Sequence, residues 1–165
     1  MSKWVYLSGL VLIIIFLYFI PRAIMYPDYP VIGWIMFAII FFIIPVLLFI
    51  VLKAFTGRSQ ISTILSLGSV LLIGPTFGLF QGYREKLELE KFGTWTKAVV
   101  IDHKFRDDRT GKRWTVKYQY TVNQIVYQTN YHDDNQNQFA RGDTISIIYS
   151  KAFPKIYALG YEWKK

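Results

Sequence analysis

Residues 61 to 93 read ISTILSLGSVLLIGPTFGLFQGYREKLELEKFG, and the change of character inside this run decides the fold. Ile61 to Phe80 is 20 residues without a charge, whereas Gln81 to Lys91 packs Arg84, Glu85, Lys86, Glu88, Glu90 and Lys91 into 11. A helix rises about 1.5 Å per residue and a bilayer core is about 30 Å thick, so the first part is predicted to span a membrane. The second part is predicted to continue as a solvated helical stalk, helped by Lys86 placed four residues before Glu90, until Gly93 stops it.

Moving toward the N-terminus, Val5 to Ile20 and Val31 to Leu52 are two more uncharged stretches, of 16 and 22 residues. The first is short and is expected to use Trp4, Tyr6 and Tyr18 as interfacial anchors before Pro21 and Arg22 end it. A cleaved signal peptide is the rival reading, but no small-x-small pattern follows Phe19, so an uncleaved span is expected. Pro45 inside the second stretch lacks a backbone donor and is expected to kink that helix. The predicted membrane half is therefore residues 1–80, with spans at about 5–20, 31–52 and 61–80. Gly74, Gly78 and Gly82 recur every four residues, a face that permits close helix packing, against the other two spans in preference to a second copy. No ionisable side chain lies within the spans, which argues against a pump or transporter.

Whole-chain composition hides this division. Of 165 residues 53% are hydrophobic and 18% charged, with net charge +8, no cysteine and mean hydropathy +0.26, which excludes a disordered chain and a disulfide scaffold. Fifteen of the 19 Lys and Arg and ten of the 11 acids follow Gln81. Near the span ends, Lys3, Lys53 and Arg58 stand on one side against Arg22, Arg84, Lys86, Lys91 and Lys97 on the other. That balance leans the C-terminal part toward the cytoplasm of a multi-pass protein, as in a bacterial inner or plasma membrane.

From residue 92 onward the period is that of strands. Trp95 to Phe105 alternates, with Trp95, Lys97, Val99, Ile101 and His103 expected on one face. Trp114, Val116, Tyr118, Tyr120 and Val122 form an apolar stripe in Arg113 to Val122. Ile125 to Tyr131, Thr144 to Tyr149 and Ile156 to Leu159 complete about five strands. Asp107 to Gly111, Asn123-Gln124 and Arg141-Gly142-Asp143 carry turn chemistry, and His132 to Gln138 reads as a polar loop. The predicted fold is thus three transmembrane helices, a stalk at 81–91, and a small antiparallel β-sheet or open β-barrel domain at 92–165, too small to enclose a ligand.

Phe92-Gly93-Thr94-Trp95-Thr96-Lys97-Ala98-Val99-Val100, the strand Val116-Lys117-Tyr118-Gln119-Tyr120-Thr121-Val122, and Arg141-Gly142-Asp143 before Ile147-Ile148-Tyr149 and Phe153-Pro154 resemble a widespread bacterial membrane-protein family known as a domain of unknown function. Its members join membrane helices to a small β-domain. The likeness covers about Phe92 to Leu159. Phe153 replaces the usual Asn, and three spans precede the domain. The resemblance implies architecture and no catalytic residue.

Chemistry-bearing residues are few. His132-Asp133-Asp134 lacks the ligand number of a calcium loop, and two histidines without cysteine do not make a zinc site, so neither metal nor cofactor is expected. Neither a nucleophile context nor a glycine-rich phosphate loop is present, and the expectation is a non-enzyme; catalysis by His132, Asp133 and Asp134 is the weakest option. The strongest polar feature is the first hairpin, where Lys104, Arg106, Arg109, Lys112 and Arg113 oppose Asp107 and Asp108. It is expected either to bind an anionic headgroup or acidic protein, or to pair internally as a solvated hairpin. Nucleic acid is unlikely, because the aromatics are needed for the core. Expected partners are membrane lipids, a protein partner, or a second copy through the third span. The functional expectation is a membrane-proximal binding or interaction module. The alternatives are a ligand-responsive sensor or effector, or an immunity or accessory protein for a membrane-acting partner.

Overall fold

Proline and glycine punctuate the apolar half. The computed structural model describes residues 3–26, 31–108, 111–134 and 136–163. Helix α1, Lys3–Phe19, ends where Pro21 forces Ile20 out of helical geometry, and a four-residue helix α2, Arg22–Met25, follows. Helices α3 (Val31–Ala38) and α4 (Ile44–Thr56) are joined through a π-helical turn, Ile39–Ile43, into one 26-residue helix. Here the expected proline effect takes a specific form. Pro45 cannot donate to the preceding turn, and the helix widens just before it, with Ile44 N–H bonded to Ile39 O, five residues back. Gly57, in the left-handed region at φ 67°, ends α4. Helix α5 then runs unbroken from Ser59–Phe92, so predicted span and predicted stalk are one 34-residue helix.

By length and apolarity, two described helices are able to cross a membrane, Val31–Thr56 and Ser59–Phe92. At 17 residues α1 falls short of that measure, in keeping with the shortness of the Val5 to Ile20 stretch, so the apolar half holds two long apolar helices and a shorter one. The chain divides into two units, Met1–Glu85 and Lys86–Lys165, a boundary inside α5.

In the first unit Leu10, Leu17 and Ile20 bury against Met36, Ile39, Ile40, Ile44 and Val51. Helix α5 is polarity-inverted: Ser62 is fully buried while Leu71 and Leu79 are each 77% exposed. Ser66 and Ser69 continue the buried stripe. Their hydroxyls donate to carbonyls of their own helix, Ser62 to Arg58, Ser66 to Thr63 and Ser69 to Ser66, which is why burying them costs little.

The second unit is an antiparallel open sheet of six strands: β1 Gly93–Asp108, β2 Gly111–Val122, β3 Ile125–Gln128, β4 His132–Asp133, β5 Thr144–Ser150 and β6 Tyr157–Leu159. The order is β3-β2-β1-β5-β6, with β4 also pairing β2. Two sequence expectations change. The expected polar loop at His132 contributes a sixth strand, because the segment after β3 returns to β2, pairing Asp133 with Thr115 and His132 with Val116. Thr129 bridges the gap, donating its N–H to Tyr118 O and accepting Tyr118 N–H at its Oγ1. Secondly, β1 carries a bulge at Ile101 between the Val100–Tyr118 and Asp102–Lys117 pairs. One extra residue inverts the alternation, so His103 joins Val116 on the core face instead of sharing a face with Lys97.

Ala98, Val100, Val116, Tyr118, Tyr120, Val122, Ile147 and Leu159 form the core of the sheet, ringed by Tyr127, Tyr149 and Tyr157. The Asn123-Gln124 turn has φ 48° and 68°, the paired positive values of a two-residue hairpin. At the helix-to-strand junction, a Cβ on Gly93 would lie 2.2 Å from Leu89 O and 2.6 Å from Ile148 Cδ1. Nearby, Ser150 donates to the buried Glu88 carboxylate at 2.8 Å.

Candidate functional site

Strand register places Asp102, Lys104 and Arg106 of β1 beside Lys117, Thr115 and Arg113 of β2 on the sheet face opposite the aromatic core. Tyr131 lies across them. Lys104 Nζ is 2.8 Å from its hydroxyl and 3.9 Å from its ring centre, and the Arg106 guanidinium sits 4.6 Å over the ring. The Tyr131 hydroxyl donates to Asp102, and with Lys104 beside it holds that carboxyl below the usual carboxylate range. Lys117 donates to Gln128 at 2.8 Å.

The predicted hairpin residues separate into two groups. Lys104 and Arg106 come together on Tyr131, Lys104 also pairing with Asp102 at 3.8 Å, while Arg113 pairs with Asp133 at 3.0 Å and Lys112 with Asp107 at 3.4 Å. Arg109 lies outside the described residues. Of the last two pairs only Lys112–Asp107 lies within the hairpin; Arg113 reaches out of it to β4. Lys117 and Tyr131 were not in the predicted set, and they are recognisable only once β2 and the segment after β3 are in register.

The glycine series also divides. A Cβ on Gly74 would be 3.9 Å from Ile40 Cγ2, but at Gly78 or Gly82 it would meet nothing within 4 Å. Gly74 is thus the member of the series that meets a neighbouring helix, and the buried small residues of α5 are Ser62, Ser66 and Ser69, four and three residues apart.

His132, Asp133 and Asp134 diverge. His132 Nε2 is 3.1 Å from Tyr157 Oη, Asp133 turns to Arg113, and buried Asp134 accepts the backbone N–H of Gln138 and Phe139. His103 stacks on Trp114 with its Nε2 3.6 Å from Asp134. Among the described residues no three His, Cys, Asp or Glu cluster as metal ligands. Burial pushes the His132 imidazole below its ordinary value, against Glu162 and Asp133, which pull it up. The unfolded chain therefore binds the proton more readily than the folded one. Stability of the sheet unit is expected to fall as pH drops below about 6.5, and His132→Gln is expected to flatten that slope. Melting temperatures of the full chain in micelles between pH 5 and 8 provide the check; parallel curves for both proteins would refute it.

A second polar constellation closes one end of the helical unit. Arg84 Nη1 donates to Tyr18 O and Ile20 O, at 3.2 and 3.1 Å, and so caps the C-terminus of α1. Arg22 donates to Arg84 O, Tyr18 Oη lies 2.6 Å from Thr76 Oγ1, and Tyr26 donates to Glu85 Oε1. From this end a cavity of about 690 Å³ runs between α3 and α5. Ile32, Met36, Phe37, Ile40, Leu71 and Phe77 contribute to its walls, and Tyr26 and Glu85 are its hydrogen-bonded polar end. The sequence signal was present: Arg84 and Glu85 immediately follow an apolar span. What it lacked was the return of Tyr26 to meet them.

Comparison with family models, curated proteins and solved structures found no match.

Proposed function

We propose that this chain is a multi-pass integral membrane protein whose β-domain is a binding module for anionic surfaces. The observation that carries the reading is the inverted polarity of α5, with Ser62, Ser66 and Ser69 inside and Ile64, Leu67, Leu71 and Leu79 outside. In water that arrangement forfeits roughly 25 cal/mol per Å² of exposed apolar surface. In lipid it costs nothing, and small residues are what let helices approach where no hydrophobic force drives them together. Basic and aromatic anchors at both ends support the reading. Lys3 and Trp4 lie on Phe55 at one end, and Tyr18 and Arg84 flank Phe80 at the other. With α1 as a third, short span, the β-domain faces the cytoplasm.

On that side the nearest polyanion is the anionic leaflet, and the Tyr131 face carries the cations that suit such a surface. Lys104, Arg106 and Lys117 present cationic heads around one aromatic plate, each contributing on the order of 1 kcal/mol near anionic lipid. Two measurements test the reading. The chain should stay in the membrane pellet through alkaline carbonate; release by alkali rejects the membrane assignment. Full chain in neutral nanodiscs should bind phosphatidylglycerol vesicles in a salt-dependent manner, and replacing Lys104, Arg106 and Lys117 by Ser should weaken that binding by about a hundredfold. Equal binding by the triple variant rejects the headgroup assignment.

A further inference from the structure

The cavity between α3 and α5 is a different site, in the helical unit, from the basic face of the sheet. At about 690 Å³ it falls within the roughly 300–1,000 Å³ of ordinary ligand sites. Its walls are aliphatic and aromatic, and Glu85 is the one carboxylate among its described lining residues. Tyr26 donates to Glu85 Oε1, and among the described residues Oε2 accepts no hydrogen bond. A carboxylate oxygen at the end of an apolar groove offers an acceptor to a donor that reaches it. Beside it, Arg84 spends Nη1 on Tyr18, Ile20 and Gln81, and Nη2 has no acceptor among the described residues.

We propose that this groove holds an acyl chain of a phospholipid whose headgroup bears a primary ammonium. The open acceptor at Glu85 calls for an N–H donor of positive charge, which a primary ammonium supplies and a quaternary ammonium does not. Arg84, the residue before Glu85 on α5, lies outside the groove's lining and supplies the cation for the neighbouring phosphate, and the apolar walls take the chain. Phosphoethanolamine is the simplest headgroup that unites those two charges, without the added carboxylate of phosphoserine, which Glu85 would repel. A glycerol headgroup offers no cation to Glu85, and a choline headgroup offers no N–H. The inference rests on the membrane reading, since the lipid reaches the groove from the bilayer, and it is independent of the Tyr131 face.

Titration of delipidated full chain in non-ionic detergent, followed by native mass spectrometry, tests this with phosphatidylethanolamine, phosphatidylcholine and phosphatidylglycerol of identical acyl chains. Phosphatidylethanolamine should bind at least about tenfold more tightly than either of the others. Glu85→Gln retains an acceptor for Tyr26 and should erase the preference while leaving phosphatidylcholine binding unchanged. Gly33→Phe should weaken all three lipids alike, because a Cβ there meets nothing within 4 Å and the ring is then free to fill the groove. Glycerophosphoethanolamine, which has no chains, should fail to compete. Equal affinities for the three lipids, a preference that survives Glu85→Gln, or full competition by the chainless headgroup would each overturn the proposal. Such a result with the chain still retained in alkaline carbonate counts against the lipid site alone, whereas release by alkali removes the membrane reading itself.

Discussion

Replacing Gly93 by alanine is expected to destabilise the sheet unit by about 3 kcal/mol, at the upper end of ordinary overpacking costs. The new methyl would sit 2.2 Å from Leu89 O and 2.6 Å from Ile148 Cδ1. The isoleucine has other rotamers, but the carbonyl belongs to the last turn of α5 and moves only if the helix end moves. Glu88 and Leu89, buried in that turn, oppose such a shift. For a unit of 80 residues the loss corresponds to roughly 12–24 °C in melting temperature. Tryptophan emission of the full chain in micelles, where Trp95 and Trp114 report on the sheet, follows it. Gly78→Ala and Gly82→Ala are the matched controls. Their added methyls meet nothing within 4 Å, and alanine is the better helix former by up to about 1 kcal/mol, so neither should destabilise the chain. A Gly93→Ala protein that melts with these controls would show that α5 and β1 do not approach as described.

Tyr118→Ala is expected to cost more, about 3–5 kcal/mol, the range for emptying a large aromatic site in a core. Tyr118 is fully buried in the centre of β2, edge-on to Phe139 and tilted against His132, and burial raises its hydroxyl pKa well above the ordinary tyrosine value. Its backbone also makes the two bonds to Thr129 that close the gap between β3 and β4. Emptying the site leaves a cavity that only the neighbouring rings could fill, and each is held elsewhere: Phe139 stacks on Tyr161 and His132 meets Tyr157 edge-on. Hydrogen exchange of the β2 amides in the full chain should accelerate by at least about a hundredfold if opening is global. Unchanged protection across residues 114–122 would place the core elsewhere.

The apolar runs, the strand period and the Asn123-Gln124 hairpin were legible in the sequence because each depends on local periodicity or local turn chemistry. What escaped depends on partners distant along the chain. His132 and Asp133 have the composition of a loop, and only the Thr129 bridge back to Tyr118 makes them a strand. The bulge at Ile101 leaves no mark in residue type, so the face of His103 was misjudged. Charge counting located the basic hairpin but not which cations have carboxylate partners, since Asp133 reaches Arg113 across the β2–β4 pair. In the helical unit the glycines drew attention, yet Ser62, Ser66 and Ser69 form the longer buried stripe. A serine whose hydroxyl folds back onto its own helix behaves as a small residue, a property that composition does not display.

Phe92 ends α5 and Gly93 begins β1, so the chain changes from one periodicity to the other with no slack residue between. A helix advances about 100° per residue and a strand about 180°, and here the two phases are locked by a single peptide bond. Length variation at this point is therefore forbidden in a way it is not at an ordinary interdomain linker. One added residue would rotate the helix face carrying Glu88 and Leu89 away from Ser150, or else exchange the inner and outer faces of β1.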